Sequence, residues 1–264
     1  MSASVYELRR PGGVMPPLAL LAGGMATRMG AVTEYVPKSL LHVAGEPFVA
    51  HQLRLLAAQG IVDVVICCGH LGGMVADFVG DGSKFGCRVR CSFDAPGLLG
   101  TGGAIRKALP LLGARFFVMY GDSYLTAGFG PALRVFEELG KPALMTVFAN
   151  EDRWDASNVE FSGGKIVRYA KRTRSVSSDA PIVPRGEMWH IDYGLGIYSA
   201  ESFRGFPEGE AFDLSAVQSD LIARGAMAGF EVRKRFYEIG SAAGLAETDA
   251  FLRERAPAFA GAHA

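Results

Sequence analysis

Neither sign of charge is in excess in this sequence, because 27 lysines and arginines stand against 27 aspartates and glutamates. Without a net field there is no reason to expect a nucleic acid or an anionic membrane as partner, so any phosphate site has to be local. Cysteine is scarce, with Cys67, Cys68, Cys87 and Cys91 the four in the chain. They form no CxxC pair, and His42, His51, His70 and His190 show no ligand spacing, so no zinc site is assigned. Reduced thiols packed in the core are expected, with Cys87 and Cys91 on one face of a strand. Long apolar runs are missing too. Leu18 to Ala22 follows Arg9 and Arg10 but stops at Gly23 and Gly24, too short for an export signal or a membrane helix. A cytoplasmic protein is the expectation, with no internal repeat and no coiled-coil heptad.

What is present is a chain of 264 residues, 49% of them apolar, enough for a sizeable core and ordinary for one α/β domain. Residues 1–16 mix small, charged and Pro/Gly residues and are expected to be a loose leader, with a single domain over 17–255 and a tail over 256–264. PLALLAGG is a short apolar run closed by glycines, the pattern of a strand buried on both faces. EPFVAHQLRLLAAQG carries Val49, Leu53 and Leu56 at helical spacing, with Gly60 as its stop. VDVVICC, CRVRCSF, ARFFVMYGD and PALMTVFA read as further strands, separated by the helical stretches LGGMVADFVG, TGGAIRKAL and FGPALRVFEELG. This alternation predicts parallel strands with right-handed crossovers through Ala149.

The texture then changes. NVEFSGGKIVRYA predicts a β-hairpin around Gly163 and Gly164, and the Ser/Pro-rich, basic KRTRSVSSDAPIVPRGE predicts a loop over a site. WHIDYGLGIYS and GFEVRKRFYEIG read as strands, DLSAVQSDLIARG and SAAGLAETDAFLRERA as helices. The fold class is therefore α/β: a doubly wound, Rossmann-like, mostly parallel sheet over 17–149, followed by a mixed β/α substrate-binding part over 150–255.

In open α/β sheets ligands bind beyond the carboxyl ends of the strands, so the loop after the first strand, AGGMATRMGAVTEYVPKSL, draws attention first. Gly23 and Gly24 let backbone N–H groups approach phosphate oxygens, and Arg28 and Lys38 can neutralise them. The spacing is neither a Walker loop nor the GxGxxG of a dinucleotide fold, and a tight turn with solvated cations fits the same residues.

LAGGMATRMG followed by VPKSL resembles the signature of the sugar-phosphate nucleotidylyltransferases, and GLLGTGGAI, MYGDS, DYGLGIY and FYEIGSAAGL resemble further blocks of that family in the same order. The likeness runs from Leu18 to Leu252. It implies a Mg²⁺-dependent transfer of a nucleotidyl group from a nucleoside triphosphate to a sugar 1-phosphate. It further implies a catalytic set of Arg28, Lys38 and Asp122, the first two on the triphosphate and Asp122 on Mg²⁺ with Glu238 as second metal ligand. Leu21, Ala22, Gly23, Gly24, Thr27, Gly102 and Gly103 take the nucleotide positions, and Lys171, Asp192 and Gly194 the sugar phosphate positions. Three departures stand out: Ala26 for a usual Gly, Glu238 for a usual Asp, and Asp192 for a common Asn. The blocks look most like enzymes acting on mannose-type or heptose 1-phosphates with GTP or CTP for surface polysaccharides, and next most like those activating N-acetylmuramic acid or glucose phosphates.

The chemistry agrees with these roles, since joining two polyanions needs positioning and charge neutralisation rather than a covalent nucleophile. Each residue also has a plainer reading. Asp122 fits a Gly-Asp turn, Glu238 a solvated strand end, and Lys171 a solvated basic cluster with Arg172 and Arg174. Trp189 and Tyr193 fit either a sugar wall or the core. A regulatory homologue that binds nucleotide sugar without turnover is the alternative function, and a homo-oligomer is left open. An NAD-dependent oxidoreductase lacks its glycine spacing.

Overall fold

The computed structural model describes residues 14–24, 35–94, 96–170 and 188–260. Its central strand β1 (Leu18–Leu21) pairs in parallel with β4 (Asp63–Cys68) on one side and β6 (Arg115–Tyr120) on the other, and β5 (Arg88–Phe93) pairs in parallel with β4. Side chains along these strands alternate between two cores. Leu18, Leu20, Val64 and Ile66 enter one, while Ala19, Val65 and Cys67 enter the other. Burial on both faces is why β1 and most of β4 read as unbroken apolar runs, whereas the edge strand β5 exposes Arg88 and Arg90.

Helices close both faces. α1 (Phe48–Ala58), α2 (Gly72–Val79) and α4 (Gly130–Leu139) cover the first core with Val49, Leu53, Leu56, Val75 and Leu133. α3 (Gly100–Leu112) and α5 (Leu214–Ala223) cover the second with Ile105, Leu112, Val217 and Leu221. The core is thus doubly wound, as expected. Each fully buried aliphatic side chain contributes about 1.5–3 kcal/mol, against about 0–1 kcal/mol for an exposed ion pair, so these two layers carry the stability.

Beyond β6 the sheet becomes mixed. β11 (His190–Ser199) runs antiparallel between β6 and β8 (Ala143–Ala149), so β8 does not lie beside β6 as simple continuation of the alternating pattern predicts. Local pattern identifies a strand but not its neighbour, and Gly194 and Gly196 mark the irregular register that lets β11 fit. β12 (Met227–Val232) pairs in parallel with β8, and the predicted hairpin, β9 (Val159–Ser162) and β10 (Lys165–Tyr169), ends the order β5-β4-β1-β6-β11-β8-β12-β10-β9.

The single strand predicted in GFEVRKRFYEIG is two. Arg233 and Lys234 are exposed where the chain leaves β12, and β13 (Phe236–Glu238) pairs with β7 (Ser123–Leu125) in a separate ribbon. EPFVAHQL begins its helix at Phe48 because Glu46–Pro47 is a short strand, β3, paired with β2 (His42–Val43). The last helix is α6 (Ala242–Ala260). Met15 already packs into the first core, so part of the expected leader belongs to the fold.

All four cysteines are free, and Cys87 and Cys91 do share the first core. Burial pushes the Cys67 thiol up to about 12 and the Cys87 thiol up to about 11. Cys91, partly exposed, is instead lowered by a hydrogen bond from Cys68. No helix among the described residues is long and apolar enough to cross a membrane.

Candidate active site

The carboxyl ends of β1, β4, β5 and β6 meet at a cavity of about 360 Å³. Its floor is the turn after β1, where Ala22 N donates to Cys67 O (3.1 Å) and ties the two strand ends together. Gly23 and Gly69 cross there so closely that a Cβ on Gly69 would lie 2.5 Å from Gly23 O, and one on Gly23 would lie 2.9 Å from Gly69 N. No larger residue fits either place. Among the described residues nothing lies within 4 Å of where a Cβ on Gly24 would be, and its backbone lines the cavity.

The opposite wall is the turn Tyr120–Ser123. Gly121 N donates to Leu21 O (3.0 Å), and Ile239 N donates to Asp122 O (2.9 Å), so this turn is stitched to β1 and to the end of β13. Lys38, in a short 3-10 turn, reaches across with Nζ 2.8 Å from Asp122 Oδ2. Glu238 arrives from β13, where it pairs with Ser123. Its Oε2 accepts from Gly240 N and its Oε1 from Ser241 Oγ (2.7 Å) at the start of α6.

Gly240 shows how closely these groups converge. A Cβ there would lie 2.5 Å from Glu238 Oε2, 3.1 Å from Lys38 Nζ and 3.6 Å from Asp122 Oδ2. The missing side chain leaves a cradle faced by two carboxylates and one ammonium. Among the described residues no group of three or more His, Cys, Asp or Glu could hold a metal ion, so any cation here would rest on these two carboxylates and on oxygens from elsewhere.

Of the remaining expected residues, Leu21, Ala22, Gly23 and Gly24 line the cavity, whereas Thr27, Arg28 and Lys171 lie outside the described residues. The loop predicted after the hairpin lies outside them as well. Gly102 and Gly103 face another way. Their N–H groups donate to Phe212 O (3.0 and 3.2 Å), and a Cβ on either would collide with Phe212 or Glu210. The cavity wall from the same helix start is Gly100, Thr101 and Ala104.

Asp192 and Gly194 line a smaller cavity beside β11 with Tyr120, Tyr198 and Gln218. Asp192 Oδ1 accepts from Gly194 N (3.0 Å), Oδ2 from the Tyr120 hydroxyl (3.4 Å), and Asn158 Oδ1 takes the Asp192 N–H (2.9 Å). Gly194 has a φ of +94°, and its Cβ would touch Ser123 Oγ, so this pair meets the Asp122 turn from behind. Burial, and then the Asp192 charge, hold the Tyr120, Tyr169 and Tyr198 hydroxyls above their ordinary values. Tyr193 is core, its hydroxyl accepting from Thr126 N and Ala127 N (3.1 and 3.0 Å), while Trp189 is exposed.

The sequence reading passed over Asp94, Ser39, Tyr120, Gly121 and Gly240, all of which line the main cavity. Asp94 directly follows β5 at the cavity edge, where its Oδ2 accepts from Leu99 N (3.0 Å) and burial raises its carboxyl above the ordinary range. Its signal was position, one residue past a strand in an α/β sheet.

Comparison with known proteins identifies the family. The chain is 30% identical over 232 residues to the N-acetylmuramate alpha-1-phosphate uridylyltransferase of Neisseria meningitidis, covering 88% of this chain and 96% of that one. It is 32% identical over 168 residues to the glucose-1-phosphate thymidylyltransferase of Streptomyces antibioticus, covering 62% of this chain and 47% of that longer one. In fold it resembles HddC from Yersinia pseudotuberculosis complexed with GMP-PN, with a TM-score of 0.72 at 20% identity over 90% of this chain and all (100%) of that one. The sequence profile of the nucleotidyl transferase family matches residues 19–158, which span the cavity from β1 through the Asp122 turn. The chain belongs to the nucleotidyl transferase family.

Proposed function

We propose that the chain transfers a nucleotidyl group from a nucleoside triphosphate to a sugar 1-phosphate. A phosphate oxygen of the sugar attacks the α-phosphorus, the bond from that phosphorus to the bridging oxygen breaks, and pyrophosphate leaves. The observation that carries this reading is the convergence of Lys38, Asp122 and Glu238 around Gly240, beside a bare backbone turn able to approach phosphates.

Mg²⁺ is the cofactor this donor set suits, because it is commonly held by one or two carboxylates and completed by phosphate oxygens and waters. Asp122 and Glu238 would hold it. When bound, it neutralises charge on the reacting phosphates and orients them. Lys38 lies against Asp122 at the wall of the same cavity, so its ammonium would be within reach of phosphate oxygens bound there. Arg28, Thr27 and Lys171 keep their proposed roles on the triphosphate and the sugar phosphate, and Asp192 and Gly194 theirs on the sugar side. Gly100 and Thr101, which line the cavity from the start of α3, would approach the nucleotide in place of Gly102 and Gly103.

A relative matched over 96% of its length is named for N-acetylmuramate 1-phosphate, which supports that sugar among the acceptor candidates, beside mannose, heptose and glucose 1-phosphates. We place the reaction in the cytoplasm, in supply of cell-envelope or surface polysaccharide precursors. The test is pyrophosphate release from a matrix of those four sugar 1-phosphates against GTP, CTP, UTP, dTTP and ATP with Mg²⁺. Release from at least one pair is expected, and release from none overturns the reading.

A further inference from the structure

α1 buries a polar residue where a leucine would be expected. Gln52 lies on the same helix face as Val49, Leu53 and Leu56, and all four are completely inaccessible to solvent. Its amide nitrogen donates to Tyr120 O (3.2 Å) and to Ser123 O (2.9 Å), the two carbonyls that bracket Gly121 and Asp122. Carbonyls can only accept, so the amide must present its nitrogen to them. Its Oε1 has no hydrogen-bond partner among the described residues. Burying a carboxamide with one end unsatisfied costs free energy that an apolar side chain would avoid. The arrangement therefore works against packing and in favour of the turn.

The same helix also reaches Lys38. Its first N–H, on Phe48, donates to Leu41 O (2.9 Å), and Leu41 N donates back to Lys38 O (3.0 Å), closing the turn that carries the lysine. One rigid element thus anchors both members of the Lys38–Asp122 pair, one through its N-terminus and the other through Gln52.

We infer that Gln52 is a positioning residue that clamps the Tyr120–Ser123 turn and so aims the Asp122 carboxylate at the cradle beside Gly240. This rests on the proposed role of Asp122 toward a divalent cation. Gly121 and Ile239 secure the turn by backbone bonds, but Gln52 is the side chain that spans it, holding both flanking carbonyls at once.

The test uses Gln52→Met, which keeps length and apolar bulk but removes both donors, and Gln52→Glu, which keeps shape and replaces donor by acceptor. Leu56→Met, on the same helix face, is the packing control. Two quantities are read: hydrogen exchange of the Gly121 amide in metal-free protein, and Mn²⁺ affinity with a nucleoside triphosphate present, by electron paramagnetic resonance. In both Gln52 variants Gly121 exchange should quicken and Mn²⁺ affinity should fall about tenfold or more, the range for groups that orient metal ligands. Leu56→Met should lower Tm and leave both readings alone. Wild-type readings in both Gln52 variants, or an equal loss of Mn²⁺ affinity in Leu56→Met, would overturn the inference. Wild-type protein that binds no Mn²⁺ would instead overturn the role given to Asp122, and the two failures are told apart because Gly121 exchange reports the clamp without metal.

Discussion

Lys38 Nζ stands 2.8 Å from Asp122 Oδ2, although the two residues are 84 positions apart in the chain. The side chains are 16% and 37% exposed, so the pair is open to water and worth only about 0–1 kcal/mol to the fold. What it provides is placement, a cation and a carboxylate held together at the wall of the cavity proposed to take the triphosphate.

Replacing the lysine should therefore separate activity from stability. Lys38→Met is expected to cut kcat on the order of 10²- to 10³-fold, the usual loss for one group that stabilises developing charge. Its unfolding free energy in urea should stay within about 1 kcal/mol of wild type. Loss of both together would mean that the pair is structural.

Gly240→Ala probes the cradle from inside. The new Cβ would lie 2.5 Å from Glu238 Oε2, so carboxylate or backbone has to move. Turnover should fall on the order of 10²-fold, in line with displacements of this size at a reacting centre. Wild-type kinetics in this variant would show that Glu238, Lys38 and Asp122 do not act at this point.

Gly102→Ala tests a different claim, that this glycine serves packing against Phe212. The variant should lose about 1–3 kcal/mol in denaturant unfolding, as overpacked sites do, with KM for the nucleotide close to wild type. A large rise in KM at unchanged stability would return Gly102 to the nucleotide site.

The thiols should react in a set order. At pH 8 the native protein is expected to give one fast-reacting thiol, Cys91, whose value is lowered and which is partly exposed. Cys67 and Cys87, buried and pushed up to about 12 and about 11, should react only on unfolding. Mass mapping after brief treatment with a disulfide reagent checks this.

How much of this could be read in advance depended on whether the cause was local. β1, β4 and α1 were readable because continuous apolar runs and the spacing of Val49, Leu53 and Leu56 are local patterns. The insertion of β11 between β6 and β8 was not, since strand order is decided by pairings far apart in the chain. In the site, Lys38 stood out as a cation in the loop after β1, and Asp122 as an acidic residue just past β6 in a block that resembles the family. Gly102 and Gly103 looked equally suited to a ligand, because a sequence shows that a Cβ is missing but not which neighbour takes the space. Gln52 was hidden for the opposite reason: it sits in an apolar helical pattern, and its importance lies in two carbonyls about 70 residues away.

The most direct test of the central claim compares pyrophosphate release by wild-type protein and Asp122→Asn, with and without Mg²⁺, on whichever nucleotide and sugar 1-phosphate pair the matrix identifies. Wild-type release should require triphosphate, sugar 1-phosphate and the cation together, and Asp122→Asn should lose at least about 10²-fold of it while remaining folded. Equal rates in the two proteins, or wild-type release that ignores the cation, would contradict the account.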